Sequence, residues 1–258
     1  MRLSVITDEI DGRLEPALDV CAELGIEAIE LRIVDGVQIV DHGEDALHAI
    51  RGVLDARGLQ VCAIASPYLK CDPGDGDPEV LERALTAARI LGAPVVRAFS
   101  YWRQADPASA LPELAEALRA AAARADDAGL VVALENEHDC NVATSGEARR
   151  ALDAAGAPGL RLIWDPGNAA MSDPGAFHGL GGLETIVDRV VHVHLKDVTA
   201  GRAWTRIGDG IVDFPAMVRF LAESGYAGYF SFETHYQRDG SSELATRDCI
   251  AAFRELLA

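Results

Sequence analysis

The chain has 258 residues, of which 49% are hydrophobic, and a formal net charge of −18 at pH 7. This length suits one β/α barrel or two small domains, and acidic residues spread along the chain argue against nucleic acid as a partner because they repel phosphate backbones. No apolar run is long enough to predict a membrane span, and the acidic start MRLSVITDEI is unlike a signal peptide, so we expect a cytoplasmic protein.

Short apolar runs alternate with longer helical patterns from the start of the chain. In the first half the runs LSVIT, IEAIEL, LQVCAIAS and APVVRAFS predict four strands. The segments that follow them, 14–24, 44–57, 78–91 and 107–128, predict four helices. Glycine after a predicted helix end, as at Gly58 and Gly92, and proline in a first turn, as at Pro78, are typical boundary signals.

The same alternation continues through the second half. The runs LVVALE, LRLIWD, VVHVHLKD and YFSFE predict strands, and the segments 144–155, 214–224 and 242–257 predict helices. The glycine-rich segment 174–188 is expected to be only partly helical.

Eight strand–helix units predict a parallel sheet covered by helices, and eight units close into a barrel. A doubly wound open sheet is the main alternative, but it usually carries GxGxxG after its first strand, where this chain has TDEIDGR. We therefore predict an α/β fold in which residues 1–258 form one (β/α)8 TIM barrel domain.

Four consecutive predicted strands end in residues that can bind a metal. The fifth to eighth strands end in Glu135, Asp165, His194 and Glu233, and chemistry in such barrels lies at the C-terminal ends of the strands. Three crowded carboxylates repel one another, and a divalent cation removes that conflict. Oxygen-rich ligation with one imidazole suits Mn, Mg, Co or Zn and favours Mn. We therefore predict one divalent metal ion at these four residues.

These residues lie in motifs that resemble a known family. The motifs are ALEN at Glu135, WDPGN at Asp165, HVHLKD at His194, the loop IGDGIVDF, and FET at Glu233. They resemble the xylose isomerase-like β/α barrels, which include sugar-phosphate isomerases and epimerases, ketose 3-epimerases, inosose dehydratases and endonuclease IV. The resemblance covers nearly the whole chain and implies that Glu135 and Glu233 also act as acid and base on either side of a substrate. It also implies a homodimer.

One metal site of this kind can serve three reactions. A metal that binds a carbonyl and an adjacent hydroxyl stabilises an enediolate after a carboxylate removes the neighbouring proton. Return of the proton gives epimerisation or isomerisation, and loss of a β-hydroxyl gives dehydration. We predict an isomerase or epimerase of a small sugar or keto-sugar. The alternatives are a lyase or dehydratase acting on a keto-cyclitol or keto-sugar, and a non-catalytic sugar-binding barrel or subunit.

The sequence departs from the epimerase pattern at three substrate-binding positions. Asn168 replaces a histidine, Asn141 replaces a glutamate and Ala200 replaces an arginine. These changes disfavour a ketose 3-epimerase. Endonuclease IV is also disfavoured, because the loop after His194 lacks the DxH pair that its three-metal cluster requires.

Four residues near the predicted rim are candidate substrate contacts, namely His138, Asn168, Lys196 and Arg206. Three of them also have structural interpretations. His138 could be a solvated loop histidine, Asn168 could cap the following segment, and Lys196 could form an ion pair with a rim carboxylate.

Two further polar positions have buried interpretations. His192 shares the inward face of His194 at a deeper level and is expected to be a core residue with satisfied hydrogen bonds. Arg97 lies within the fourth strand and needs a buried partner or an anionic substrate, and Glu30 and Arg32 on the second strand are candidate partners.

Overall fold

The computed structural model describes residues 1–258 and contains twelve strands and eight α-helices. The strands are β1 (Arg2–Ile6), β2 (Ala28–Leu31), β3 (Ile33–Val34), β4 (Val37–Gln38), β5 (Gln60–Ile64), β6 (Val95–Ala98), β7 (Val131–Glu135), β8 (Arg161–Trp164), β9 (Val190–Leu195), β10 (Asp197–Val198), β11 (Trp204–Thr205) and β12 (Tyr229–Phe232). The helices are α1 (Leu14–Glu23), α2 (Glu44–Arg57), α3 (Pro78–Leu91), α4 (Leu111–Asp127), α5 (Ser145–Ala155), α6 (Pro166–Ser172), α7 (Phe214–Glu223) and α8 (Ser242–Leu256).

Eight of the strands form a closed parallel barrel, in the order β1, β2, β5, β6, β7, β8, β9, β12 and back to β1. Strands that follow one another in this order are hydrogen-bonded neighbours, so the barrel has no free edge. The predicted TIM barrel is confirmed. None of its helices combines the length and the apolar character needed to cross a bilayer.

The helix boundaries follow the signals in the sequence. Thr144 and Glu147 form a capping box at the start of α5, each side chain binding the other residue's backbone N–H. Gly58, Gly92 and Gly156 end α2, α3 and α5 with φ values of 69°, 72° and 60°. This left-handed conformation strains residues that carry a Cβ atom, which explains glycine at these ends.

On four of the barrel strands the inward face changes from apolar to polar toward the mouth. A layer of small and aliphatic side chains lies two residues before the polar positions, and includes Ala28, Val95, Ala133 and Ile163. The corresponding polar residues are Glu30, Arg97, Glu135 and Asp165, all of which are buried. Since side chains alternate along a strand, each pair shares the inward face. On these four strands the inward face is thus apolar below the polar rim, whereas β9 and β12 carry the buried polar residues His192 and Ser231 at the deeper level.

Two details around the rim differ from the sequence-based expectation. The seventh barrel strand ends at Leu195, and Asp197–Val198 instead pairs antiparallel with Trp204–Thr205 in a separate hairpin. A helix, α6, begins directly after β8, and Asp165 is its N-cap residue because its side chain accepts the backbone N–H of Asn168. Asn168 is therefore not the cap. The segment 174–188 contains only short 3-10 turns.

Candidate metal centre

The ends of β7, β8, β9 and β12 bring Glu135, Asp165, His194 and Glu233 to one point. Their candidate ligand atoms all lie within 4.8 Å of one another. His194 Nδ1 lies 2.9 Å from Glu135 Oε1, 3.3 Å from Glu233 Oε2 and 3.9 Å from Asp165 Oδ2. All four side chains are buried. The arrangement offers three carboxylate oxygens and one imidazole nitrogen to a single ion.

Asp165 shows that this donor set fits a cation. Its Oδ1 accepts the Asn168 backbone N–H, whereas its buried Oδ2 has no hydrogen bond, although Lys196 Nζ lies 3.0 Å away in an ion pair. Burial raises the pKa of Asp165, and the charges of Glu135 and Glu233 add to this against the opposing charge of Lys196, giving a value of about 6. A divalent ion would bind Oδ2, which has no hydrogen bond, and would reduce the repulsion between the carboxylates.

Lys196 lies beside this cluster and is fully buried. Its Nζ donates a hydrogen bond to Glu233 Oε2 at 2.7 Å and pairs with Asp165, but it contacts neither oxygen of Glu135. Burial opposes the charged form, yet the charges of Asp165 and Glu233 raise the pKa of Lys196 well above its usual value. The predicted ion pair with rim carboxylates is present, and it places a fixed positive charge at one side of the cluster.

Two arginines orient the glutamates. Arg97 Nη1 donates to Glu135 Oε2 at 3.1 Å, and Arg32 Nη1 donates to Glu233 Oε1 at 2.8 Å. Each glutamate thus keeps its other oxygen toward His194 Nδ1. The expectation that Glu30 or Arg32 would be the partner of Arg97 is wrong, because the nearer inward carboxylate at that height of the barrel belongs to Glu135.

His192 lies below the cluster and has a hydrogen-bond partner, as predicted for a core residue. Its Nε2 lies 2.9 Å from Glu30 Oε2. The same carboxylate faces His194 Nε2, at 3.1 Å from Oε2 and 3.3 Å from Oε1.

The other candidate substrate contacts divide into two groups. Asn168 Nδ2 donates to Glu135 Oε1 at 3.4 Å, and its Oδ1 lies 2.9 Å from His138 Nδ1. The ring of Trp204 lies above this pair, with its centroid 5.5 Å from that of His138. Asn168, His138 and Lys196 therefore surround the cluster. Arg206 instead pairs with Asp209 on a loop and contacts none of the four central residues.

Two supporting residues were missed in the sequence. Asn136 joins two strand ends, since its Nδ2 donates to the carbonyl oxygen of Asp165 and its Oδ1 accepts the Asp165 N–H, both at 2.8 Å. Asp197 accepts the backbone N–H groups of Gly208 and Gly210 at 2.9 and 3.0 Å, which anchors the loop that carries Trp204. Their signals were the final residues of ALEN and HLKD, which lie one and two residues after the strand ends at Glu135 and Leu195.

Comparison with known proteins relates the chain to the xylose isomerase-like TIM barrels. The model of the xylose isomerase-like TIM barrel family matches residues 18–256. An inosose dehydratase from Bacillus thuringiensis is 26% identical over 139 residues, which is 47% of this chain and 46% of that protein, so the match spans about half of the relative's length.

Two solved structures show the same fold over nearly the whole chain. The IOLI protein with a bound zinc atom has a TM-score of 0.78 at 18% identity, covering 100% of this chain and 98% of that one. A 3-keto-D-glucoside 4-epimerase from E. coli has a TM-score of 0.78 at 18% identity, covering 99% and 100%.

Proposed function

Because the chain belongs to the xylose isomerase-like TIM barrel family, we propose that it is a divalent-metal-dependent enzyme acting on a small sugar or keto-sugar. The observation that carries the proposal is the convergence of Glu135, Asp165, His194 and Glu233 at one buried point, where Asp165 Oδ2 lacks a hydrogen bond. These residues would hold one ion, and three carboxylates with one imidazole suit Mn²⁺, with Mg²⁺, Co²⁺ and Zn²⁺ as alternatives. The ion would polarise a substrate carbonyl and stabilise an enediolate.

Glu135 and Glu233 are the proposed acid and base. Glu135 ends β7 and Glu233 follows β12, with β8 and β9 between them in the barrel, so they approach the centre from different sides. Arg97 and Arg32 each hold one oxygen of a glutamate, which fixes the direction of the other. One carboxylate so held would remove a proton beside the substrate carbonyl, and the other would return it.

Lys196 supplies a buried positive charge that its ion pairs hold in place. Its ammonium lies between Asp165 and Glu233 and about 5 Å from the Trp204 ring, which limits access of water. A fixed charge at this place would stabilise negative charge that develops on a substrate oxygen. We propose His138, Asn168 and Lys196 as substrate contacts, and no contact in the structure supports the same role for Arg206.

Isomerisation or epimerisation is the first candidate reaction, and dehydration of a keto-cyclitol or keto-sugar is the second. The similarity to an inosose dehydratase favours the second. Asn141 also favours it, because its side chain hydrogen-bonds the backbone at Ser100, Trp102 and Gln104 and so braces a loop. The glutamate that epimerases use there to bind substrate is absent. A non-catalytic sugar-binding barrel is the third alternative.

The first experiment combines metal analysis with proton exchange. Wild type, Glu233→Ala and the control Glu243→Ala, which changes a partly exposed acid on α8, would be purified, loaded with Mn²⁺ and analysed for metal content. Each would then be incubated in deuterated water with a panel of keto-sugars and keto-cyclitols. We expect one ion per chain in wild type and control, loss of the ion in Glu233→Ala, and deuterium beside the substrate carbonyl only where metal is bound.

The products then separate the reactions. A stereoisomer or an aldose–ketose pair identifies an isomerase or epimerase, and an unsaturated ketone with loss of water identifies a dehydratase. Metal binding with no deuterium incorporation for any compound would favour the non-catalytic alternative. Wild type that binds no ion even in excess Mn²⁺ would overturn the metal centre itself.

A further inference from the structure

Glu30 lies at the end of β2 and reaches across the barrel to both histidines of β9. Its Oε2 is 2.9 Å from His192 Nε2 and 3.1 Å from His194 Nε2. All three side chains are at most 1% exposed. A carboxylate in such a place is costly to bury unless it accepts hydrogen bonds, and here both histidine rings supply them.

The two nitrogens of His194 face different groups. Nδ1 faces the carboxylates of the candidate metal centre, whereas Nε2 faces only Glu30. A neutral imidazole that gives one lone pair to a metal must carry its proton on the other nitrogen, and that proton needs an acceptor. We infer that Glu30 is a positioning residue, which accepts the Nε2–H of His194 and thereby directs the Nδ1 lone pair toward the metal. This inference rests on the metal centre of the proposed function.

His192 supports Glu30 from the other side. Its ring is perpendicular to that of His194, with centroids 5.3 Å apart, and its Nε2 shares the same carboxylate oxygen. His192 therefore stops Glu30 from rotating away from His194. Outer hydrogen bonds of this kind fix the orientation of a ligating histidine and raise its basicity.

The ligand atoms of Glu30, His192 and His194 also cluster, so these residues are a candidate site for a second metal ion. The contacts oppose this interpretation. The distances of 2.9 and 3.1 Å from Glu30 Oε2 to the two Nε2 atoms are those of hydrogen bonds. A second ion on Nε2 would also leave His194 without any ring proton.

The test measures metal affinity and the state of the His194 ring. Metal-free wild type, Glu30→Ala and Glu30→Gln would be titrated with Mn²⁺ by calorimetry to give affinity and stoichiometry. Removal of an outer partner of a metal ligand typically weakens binding about 10- to 100-fold, and we expect this for Glu30→Ala. Glu30→Gln should lose less, because its amide oxygen can still accept the Nε2–H.

Nuclear magnetic resonance of the Zn²⁺-loaded proteins gives a second readout. In wild type the His194 Nε2 proton should be slow to exchange and strongly shifted downfield by the carboxylate. In Glu30→Gln the signal should move upfield, and in Glu30→Ala it should be lost to exchange. A residue that only fills space would not change this signal in the isosteric glutamine variant.

Cys62→Ala is the matched control. Cys62 lies in the same barrel interior and forms hydrogen bonds with Ser4 Oγ and the Ile29 carbonyl, but with neither histidine. Its loss should leave Mn²⁺ affinity unchanged. His192→Phe should weaken binding less than Glu30→Ala, because Glu30 keeps its bond to His194.

Several outcomes decide the inference. If wild type binds one ion and Glu30→Ala binds it equally well, Glu30 has no positioning role while the metal centre stands. If wild type binds no ion, both the centre and the role are wrong. Two ions in wild type and one in Glu30→Ala would make Glu30 a ligand instead. If Glu30→Ala does not fold, unchanged affinity and an unchanged Nε2 proton in Glu30→Gln would overturn the inference.

Discussion

Gly167 lies directly against Lys196. A Cβ atom at position 167 would approach Lys196 Cγ and the Lys196 carbonyl oxygen to 2.6 Å each. The absence of a Cβ atom at Gly167, in WDPGN, therefore leaves the space that the buried Lys196 side chain needs to reach Asp165 and Glu233.

Substitution of this glycine tests the contact. We expect Gly167→Ala to lower the free energy of unfolding by about 1–3 kcal/mol, because neither the backbone oxygen nor the buried stem can retreat freely. Urea unfolding measures the change. Gly146→Ala is the matched control, since its Cβ would meet only Arg150 Nη1 at 3.6 Å within α5. That variant should be neutral or slightly more stable, and equal losses in both variants would contradict the close contact.

Metal binding should stabilise the protein in a way that depends on Asp165. A ligand at 100 times its dissociation constant adds about 2.7 kcal/mol to the stability of the folded state, so Mn²⁺ should raise the melting temperature of wild type. Asp165→Asn should lose most of this increase, because Oδ2 is the oxygen free to bind. The control Asp209→Asn changes an acid on a loop and should keep the full increase. A melting curve that does not respond to Mn²⁺ in wild type would count against the site.

Glu9 links stability to pH. Burial alone would raise the pKa of Glu9, but the hydrogen bond from His235 and the charge of Arg32 outweigh this and lower it to about 2 from an ordinary value of 4.5. Because the folded-state pKa is lowered, the ionised form adds stability above pH 4.5, and this contribution is lost as the pH falls toward 2.

The corresponding variant is Glu9→Gln. A shift of this size is worth up to about 3 kcal/mol at pH 7, and the difference from wild type should shrink steadily between pH 5 and pH 3. Urea unfolding at several pH values measures it. Glu116→Gln, an exposed acid on α4, should stay within about 0.5 kcal/mol of wild type throughout. A difference for Glu9→Gln that does not change with pH would rule out the charge as its cause.

Asp197 should keep the loop that carries Trp204 ordered. Its carboxylate accepts N–H groups of Val198, Gly208, Gly210 and Val212. We expect Asp197→Ala to speed amide hydrogen exchange at Gly208 and Gly210 and to cost about 1–3 kcal/mol, since buried donors are left without an acceptor. Asp209→Asn, in the same loop, should change neither. Unaltered exchange in Asp197→Ala would show that the loop is held by other contacts.

The sequence predicted those parts of the site that depend on regular alternation. Eight strand–helix units implied the barrel, and the rule that chemistry follows strand ends selected Glu135, Asp165, His194 and Glu233. Contacts across the barrel were harder to predict. Glu30 lies near the end of an apolar run. It contacts the histidines of β9 only because the closed barrel places β2 and β9 on different sides with these residues at the same level along the barrel axis.

Short elements also escaped prediction. The hairpin of Asp197–Val198 and Trp204–Thr205 has only two residues in each strand, too few for a recognisable periodicity. The start of α6 was obscured because DPGN is typical of a turn, whereas aspartate followed by proline is equally suited to begin a helix.

Closure of the barrel has a consequence for how the molecule is assembled. Tyr229 pairs with Arg2, so β12 completes the sheet by joining residues that are 227 positions apart in sequence. Proteins that depend on contacts between such distant residues fold slowly. Glu233 follows β12 directly, so the four residues of the metal centre come together only when this seam has closed, and uptake of metal would then report closure of the barrel.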